Sequence, residues 1–430
     1  MGTLIRHVRT PLYANAYAMM LSTGISSVLG VVYWALGARL YSTEVVGVNS
    51  AMISTMIFLS GVAQLNLRVV LNRFVPVAGA ASTRLVAISY LAVTGASAIV
   101  GLGFIGVLQV LAPPAGLEDL RVDAAVILWF VASTITWSIF NLQDGVFTGL
   151  RQALWVPLEN GLYGAVKVVV LIVLAAPMAG YGIFISWTLP VAAAVLLVNL
   201  LLFRRLLPRH VARPRLEATT LVPRQLLRFI LVDYLASLLV LAYSSLLPIL
   251  VLGELGPSAG AHFYIVWFIY TAVQYVPLQM SVSLTVEAVV SKGDPYLQAR
   301  TVLVHMARLL APMIAVLTLG APVILSVFGT SYAAEGSSLL QLLSLSIVPF
   351  SVNLIYFSLA RVHARVAGII VVQTVLLIGV LGLGTTLLPR LGINGIGVAW
   401  LVSQTVVAVA LLGTRLRPVW RAAAAPHGPA

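Results

Sequence analysis

One basic stretch, from Phe203 to Arg228, constrains most strongly what this chain can form. About two hundred residues of nearly continuous apolar sequence lie on either side of it. Short loops rich in Arg and Lys stay in the cytoplasm when a protein inserts into a membrane. The stretch therefore predicts the orientation of the molecule and divides it into two halves of similar size. Its seven arginines are Arg204, Arg205, Arg209, Arg213, Arg215, Arg224 and Arg228.

The composition predicts a polytopic membrane protein. Hydrophobic residues make up 60% of the 430 residues and charged residues only 9%, whereas soluble domains have about 25% charged residues. The net charge is +13, and the basic residues lie at the ends of apolar runs. This position indicates that they set the membrane topology and contact anionic lipid head groups, rather than bind nucleic acid. The chain contains no cysteine, which excludes disulfides, thiolate catalysis and Cys-ligated metals. The preference for Arg over Lys is typical of a GC-rich bacterial genome.

Helices of about 20 apolar residues are needed to cross the hydrocarbon, and twelve segments qualify. An even number places both termini on one side, and the first run is too long for the core of a signal peptide, about 7–15 residues. We therefore predict an all-α polytopic membrane protein with twelve transmembrane helices in two pseudo-symmetric six-helix lobes around a central cavity. The segments are 14–38, 43–65, 86–111, 124–147, 153–176, 181–203, 227–252, 261–288, 304–328, 338–360, 366–388 and 393–415.

The distribution of charge agrees with this topology. With the N-terminus inside, all but four of the 25 basic residues fall on the cytoplasmic side, among them Arg6 and Arg9. Arg39, Arg121 and Arg390 fall outside, and Lys167 lies within a helix. We expect an N-terminal lobe over 1–203, a cytoplasmic basic linker over 204–226, a C-terminal lobe over 227–416 and a disordered cytoplasmic tail over 417–430, in a bacterial plasma membrane.

The sequence also argues against an enzyme. The outer loops are short, the longest being roughly Ala112 to Asp123, whereas membrane enzymes of the lipid-linked sugar pathway usually carry a large outer domain. Neither lysine follows the glycine spacing of a phosphate-binding loop. We expect no cofactor; proton or sodium coupling stays open. An integral-membrane glycan-processing enzyme remains as a minor alternative.

The two halves share a weak internal repeat. Gly182 and Trp187 open segment six as Gly395 and Trp400 open segment twelve, at a common offset of 213 residues. The glycines of the turns that follow segments one and seven have the same offset. Six helices per repeat predict parallel repeats with a cavity between them, which is typical of transporters.

Lys167 is the most unusual residue of the apolar segments, because it lies near the middle of segment five. A charge at the bilayer centre costs about 2.5–3.5 kcal/mol on insertion scales. Lys167 either meets an anionic substrate or a coupling proton, or pairs with a neighbouring helix for structure. Glu159 is eight residues earlier on the same helix and is a candidate for coupling or gating.

Further polar residues lie towards the predicted cytoplasmic ends. Arg68 and Arg73 can grip a diphosphate as two guanidinium forks, or bind lipid phosphate and set topology. Amide side chains can line a sugar-binding cavity, although hydrogen bonding between helices is their commoner use. The amide candidates for substrate binding are Asn49, Gln274 and Gln279, and the remaining candidates for coupling or gating are Asp144, Asp233, Glu287 and Arg308.

Several local motifs resemble one known family when taken in order. They are Ala38-Arg39-Leu40-Tyr41 with Glu44 and Gly47, Arg73-Phe74-Val75-Pro76, Trp155-Val156-Pro157-Leu158-Glu159-Asn160 before Lys167, Phe263-Tyr264 with Trp267, Phe328-Gly329 with Tyr332, and the run from Gly392 to Trp400. With these motifs the chain resembles the oligosaccharide flippases of the polysaccharide-transporter (Wzx-like) branch of the multidrug/oligosaccharidyl-lipid/polysaccharide (MOP) exporter superfamily.

The resemblance implies a MATE-like fold, a function and partners. Proteins of this branch carry an undecaprenyl-diphosphate-linked oligosaccharide to the outer leaflet by alternating access, with cationic cavity residues meeting the diphosphate. Expected partners are this glycan lipid, membrane lipids and a polysaccharide polymerase or glycosyltransferase, and no nucleic acid. The lipid II flippases usually have fourteen helices, and related drug exporters often place an aspartate in helix one, where residues 14–38 contain no acid. A cation-coupled exporter of small amphipathic molecules is the alternative.

Overall fold

The protein is almost entirely α-helical. A computed structural model describes residues 11–111, 116–152, 154–212, 224–290, 294–363 and 365–421, which contain no β-strand. The Cα geometry divides the chain into two compact units, Met1–Tyr234 and Leu235–Ala430, which we call lobe 1 and lobe 2. The all-α prediction is confirmed.

Lobe 1 is built from long apolar helices joined by short turns. They are α1 (Pro11–Leu40), α2 (Thr43–Ala63), α3 (Leu67–Phe74), α4 (Ser82–Val110), α5 (Asp119–Val122), α6 (Ala124–Gly149), α7 (Trp155–Leu174), α8 (Gly182–Leu201) and α9 (Leu207–Val211). A π-helical turn, Leu202–Leu206, joins α8 to α9, so the helix predicted to end at 203 continues to Val211. The predicted basic linker is therefore helical over 204–211, and its residues 213–223 lie outside the described residues.

Side-chain caps and glycines set the ends and the spacing of the lobe 1 helices. Ser42 caps α2 by accepting a hydrogen bond from the Val45 amide, and Asp123 caps α6 in the same way. Such caps satisfy amide groups that have no partner within the helix. Gly164 of α7 lies against Leu29 of α1, where an added methyl group would be 2.7 Å from the leucine side chain. The contact brings these two helices close together.

Lobe 2 consists, within the described residues, of most of one long helix and six further helices. They are α10 (Arg224–Val290), α11 (Pro295–Leu319), α12 (Ala321–Ser326), α13 (Thr330–Val362), α14 (Val366–Leu391), α15 (Ile393–Gly413) and α16 (Arg417–Arg421). Gly256 interrupts α10, because its φ of 82° and ψ of 177° are not helical. Glycine adopts such a conformation without a steric penalty, and Pro257 restarts the helix. The break corresponds to the predicted turn between segments seven and eight.

Polar side chains join the buried helices of lobe 2. The Asn353 amide of α13 donates to both the side-chain oxygen and the backbone carbonyl of Gln404 on α15, at 2.8 and 3.1 Å. Trp400 of α15 donates to the Tyr270 hydroxyl at 2.6 Å. Both interactions give a buried N–H donor a partner, as an apolar environment requires.

The predicted membrane segments coincide with helices. Ten helical stretches within the described residues are long and apolar enough to cross a membrane, and Gly24–Leu40 of α1 is a shorter apolar one. One of the ten, Asp233–Thr285, contains the break at Gly256 and covers two predicted segments. Each of the twelve predicted segments overlaps a helix, but segment nine runs past the end of α11 at Leu319 into α12.

Two predicted helix starts are wrong. Segment nine was expected at 304, but α11 begins at Pro295, because Asp294 caps it and accepts a hydrogen bond from the Tyr296 amide at 2.9 Å. It also ends earlier than predicted, at Leu319. Segment ten was expected at 338, but α13 begins at Thr330, directly after Gly329, whose positive φ of 145° favours glycine. Arg6, Arg9, Lys292 and residues 422–430 of the predicted tail lie outside the described residues.

Candidate functional site

Lys167 lies inside lobe 1 in a cage of three aromatic rings. Its ammonium nitrogen is 3.8 Å from the ring centroid of Trp187, 4.5 Å from that of Tyr33 and 5.0 Å from that of Tyr163. The lysine side chain is only 5% exposed. We call Lys167 and these three residues the lysine cage.

Three helices contribute to the lysine cage. Tyr163 is on α7 with Lys167, four residues earlier and therefore on the same face of the helix. Tyr33 comes from α1, which packs closely against α7 at Gly164. Trp187 comes from the first turns of α8. The cage thus joins helices that are far apart in the sequence.

Hydrogen bonds hold the two tyrosine rings in place. The Tyr33 hydroxyl donates to the Ile183 carbonyl at 2.8 Å and lies 2.8 Å from the Ser186 hydroxyl. The Tyr163 hydroxyl donates to the backbone carbonyl of Trp187 at 3.3 Å. Both tyrosine hydroxyls therefore hydrogen-bond to α8, while the tyrosine rings contact the ammonium group of Lys167.

More aromatic side chains surround the lysine cage. Trp137 of α6 contacts Trp187 with a centroid separation of 5.9 Å and Phe140 with one of 5.7 Å. Phe140 in turn lies 5.4 Å from Tyr163. Aromatic pairs at these separations are stabilising beyond their buried area. The cage therefore lies within a larger cluster of aromatic side chains in the lobe interior.

The lysine is held without a counter-ion. Within the part of the chain that the structure describes, no carboxylate lies within ion-pair distance of Lys167. A desolvated cation–π contact contributes on the order of 0.5–2 kcal/mol. The summed free energy of three such contacts is comparable to the free-energy cost of inserting a lysine at the bilayer centre, about 2.5–3.5 kcal/mol. Ring faces stabilise the ammonium group but do not neutralise its charge.

A second cluster of lobe 1 contains the candidates Arg68 and Asp144. Their side chains form an ion pair at 3.7 Å, in which Arg68 is 47% and Asp144 19% exposed. Gly145 allows this approach, because an added methyl group there would lie 2.9 Å from the Arg68 carbonyl oxygen. Asp144, a candidate for coupling or gating, is therefore paired with Arg68, a candidate for substrate binding.

Glu159 is buried near this ion pair. Its side chain is 7% exposed, and neither carboxyl oxygen has a hydrogen-bond partner among the described residues. Asp144 and Tyr90 both interact electrostatically with it. A buried carboxyl without a partner is costly when ionised. Glu159 is thus a buried acid inside the lobe with no hydrogen-bond partner among the described residues.

Asn49 is fully buried and forms three hydrogen bonds within lobe 1. Its amide nitrogen donates to the Val45 and Gly180 carbonyls, each at 2.8 Å. Its side-chain oxygen accepts from the Phe184 amide at 2.8 Å. The side chain fastens α2 to the beginning of α8.

The remaining candidates are distributed over both lobes. Arg73 is exposed in lobe 1, and Asp233 is half-buried near the end of that lobe. In lobe 2, Gln274 donates to the Tyr270 hydroxyl at 2.8 Å. Three other candidates of that lobe are exposed, namely Gln279, Glu287 and Arg308. Among the described residues, no group of His, Asp and Glu side chains has the arrangement of a metal site.

Sequence reasoning found Lys167 but missed the rings around it. Tyr163 could have been found, because a spacing of four residues places it beside Lys167 on a helix. Tyr33 and Trp187 carry no such local signal, since their positions depend on how α1 and α8 pack against α7.

Comparison with known proteins shows the fold. No protein-family profile matches the sequence, and no curated protein matches it in sequence. A multidrug resistance MATE family transporter of the MOP superfamily in its inward-facing conformation is similar in structure, with a TM-score of 0.68 and 14% identity. The match covers 93% of this chain and 95% of that chain. The outward-facing conformation of such a transporter gives a TM-score of 0.61 at 15% identity, covering 95% and 96% of the two chains.

A third structure is a MOP superfamily transporter from Pyrococcus furiosus Vc1. It has a TM-score of 0.63 and 15% identity, and the match covers 95% of this chain and 96% of that chain. Its binding pocket is described as having reverse polarity, which suggests a different function for that protein. At these identities the likeness shows the fold, so the chain has the MATE-like fold of the MOP superfamily transporters. The prediction of this fold is confirmed.

Proposed function

We propose that the protein is a transporter that moves an undecaprenyl-diphosphate-linked oligosaccharide from the cytoplasmic to the outer leaflet by alternating access. The observation that carries this proposal is the lysine cage. Lys167 is buried in a membrane-spanning helix, and among the described residues no carboxylate lies at ion-pair distance from its ammonium group. A cation that is retained at such a cost is usually functional.

The chemistry of the lysine cage fits an anionic substrate. A carboxylate beside Lys167 would compete with a diphosphate for the ammonium group. Aromatic rings contact the ammonium group but carry no net negative charge, so they do not compete in this way. An ammonium group also binds phosphate oxygens as a compact point charge. The lysine cage therefore favours a diphosphate over a cationic drug as the transported group.

The other sequence candidates receive roles in the same proposal. Arg68 exchanges its Asp144 partner for the diphosphate, to which its guanidinium group can donate two hydrogen bonds. Arg73 also binds the diphosphate. The amides of Gln274 and Gln279 bind sugar hydroxyls, while Asp233, Glu287 and Arg308 take part in coupling or gating. The transporter acts in a bacterial plasma membrane with both termini in the cytoplasm, beside a polymerase or glycosyltransferase that makes surface polysaccharide.

The test is to delete the gene in its host and profile the lipid-linked sugars in each leaflet. The proposal expects one undecaprenyl-linked oligosaccharide to accumulate in the cytoplasmic leaflet, which would also identify the substrate. Complementation with the wild-type gene should clear this pool, and complementation with Arg390→Gln should do so equally, because Arg390 is an exposed cation that is not among the candidate site residues. An unchanged lipid-linked pool would refute the flippase.

A cation-coupled exporter of small amphipathic molecules is the second candidate. It is favoured by Glu159, a buried carboxyl that can take up a proton, and by the likeness to multidrug resistance MATE transporters. Expression in a host that lacks its own drug pumps separates the two functions. Drug resistance without any effect on surface polysaccharide would reject the flippase in favour of the exporter.

A further inference from the structure

A basic cavity of about 160 Å³ lies in lobe 2, where α13 ends and α14 begins. A cavity needs roughly 10–15 Å³ for each water molecule it holds, so this one has room for a small polar group with its solvation. Five of its lining side chains can donate hydrogen bonds, namely Tyr296, Tyr356, His363, Arg365 and Arg415. We call it the basic cavity.

The basic cavity has no acidic lining residue. Within the described part of the chain, neither Arg365 nor Arg415 has a carboxylate at ion-pair distance. Both guanidinium groups interact electrostatically with the Tyr356 hydroxyl, so they approach the same point. Two cations that converge without an acid repel each other unless an anion lies between them.

The start of α14 adds to the positive potential of the basic cavity. Arg365 is the N-cap of this 26-residue helix, and Gly368 of its first turn lines the cavity. The N-terminus of a helix carries a partial positive charge and binds anions such as phosphate. The arginine and tyrosine side chains and the N-terminus of α14 together supply the positive charge and the hydrogen-bond donors that a phosphate group requires.

An apolar groove of about 390 Å³ runs along α11 and α13 of the same lobe. It is lined almost entirely by aliphatic side chains, with Arg300 near the start of α11 as its charged member. The groove reaches from Arg300 to Ile314, fourteen residues of helix. At 1.5 Å per residue this is about 21 Å, long enough for an acyl chain that spans one leaflet of a bilayer core about 30 Å thick.

The basic cavity and the apolar groove lie on the same helix faces. On α11, Tyr296 of the cavity is four residues before Arg300 of the groove. On α13, Val352 of the groove is four residues before Tyr356 of the cavity. Residues four apart are neighbours on a helix surface. The two spaces therefore follow one another along the pair of helices, the polar one at the helix ends and the apolar one towards the membrane interior.

We propose that these two spaces form one site for a lipid with a phosphate headgroup. Arg365 and Arg415 bind the phosphate oxygens, and an acyl chain occupies the groove between α11 and α13. An anionic headgroup such as that of phosphatidylglycerol binds more tightly than phosphatidylcholine, whose choline would bring a cation next to the two arginines. This site is independent of the lysine cage and of the proposed transport function.

The test measures lipid adducts on the purified full-length protein by native mass spectrometry, with dioleoyl-phosphatidylglycerol and dioleoyl-phosphatidylcholine as probes. The double variant Arg365→Gln/Arg415→Gln should bind phosphatidylglycerol at least about tenfold more weakly, whereas Arg390→Gln, an exposed cation elsewhere in the lobe, should match the wild type. Val348→Trp, which fills the groove, should also weaken phosphatidylglycerol binding. All three variants alter exposed side chains and should fold.

Two results would overturn the proposal. Equal phosphatidylglycerol binding by the wild type and the double arginine variant would show that the basic cavity holds no lipid headgroup. The second result has two parts: inorganic phosphate displaces the bound phosphatidylglycerol, and Val348→Trp binds the lipid as tightly as the wild type. This result would assign the basic cavity to a soluble phosphate compound and reject the lipid.

Discussion

The ammonium nitrogen of Lys167 lies 3.8 Å from the centroid of the Trp187 ring, the shortest of its three ring contacts. The two residues belong to different helices, α7 and α8, and the indole face takes the place of a counter-ion. The Trp187 indole nitrogen is itself buried, with no hydrogen-bond partner among the described residues. Trp187 is therefore placed for its ring face, and its energetic coupling to Lys167 is measurable.

A double-mutant cycle with Trp187→Leu and Lys167→Met tests this coupling. Trp187→Leu should lower the free energy of unfolding, and it should do so by less in the Lys167→Met background. The difference should be about 1–2 kcal/mol, the range of a desolvated cation–π contact. Chemical unfolding in detergent measures all four proteins. Equal effects of Trp187→Leu in both backgrounds would mean that the contact contributes nothing.

Gly149 of lobe 1 should be important for stability because it packs against the backbone of another helix. A methyl group at Gly149 would lie 2.8 Å from the Leu71 carbonyl oxygen, which cannot move without shifting α3. Gly149→Ala should therefore cost about 1–3 kcal/mol of stability. Gly103→Ala is the matched control, because nothing lies within 4 Å of its added methyl group. Thermal unfolding of the two variants should separate clearly, and equal melting temperatures would contradict the observed packing.

Glu159→Gln tests whether the buried acid participates in transport. The amide keeps the shape of the side chain and removes its charge, so the protein should be at least as stable as the wild type. If the carboxyl carries a coupling proton, transport should fall by about tenfold or more, since an amide does not titrate. The exposed Glu118 supplies the control variant Glu118→Gln. Unimpaired transport by Glu159→Gln would remove this residue from the coupling mechanism.

Much of the fold could be predicted from hydropathy. A membrane span must satisfy its backbone groups internally and must be apolar for about 20 residues, so each span leaves a plain signal. The starts of α11 and α13 were missed because polar residues such as Arg300 and Glu335 interrupt the apolar runs of their first turns. The local signals were the Asp294-Pro295 cap and Gly329, both typical of helix starts.

The candidate site was only partly predictable. Lys167 was evident because a lysine in an apolar span is rare. Its cage depends on contacts of α1 and α8 with α7, which no local pattern reveals. Asn49 shows the same limit, because three lobe 1 hydrogen bonds to its side chain became visible only in the structure.

The central claim is that Lys167 serves transport of an anionic lipid at some cost to stability. Proteoliposomes that contain a labelled polyprenyl-diphosphate-linked sugar test it directly, with the wild type, Lys167→Met and the control Arg390→Gln. Lys167→Met should be as stable as the wild type or more stable, because it removes an unneutralised buried charge. Its transport rate should fall by about tenfold to a hundredfold, in line with loss of a charge-assisted contact of roughly 1.5–3 kcal/mol. A variant that transports at the wild-type rate, or one that loses stability together with transport, would contradict the account.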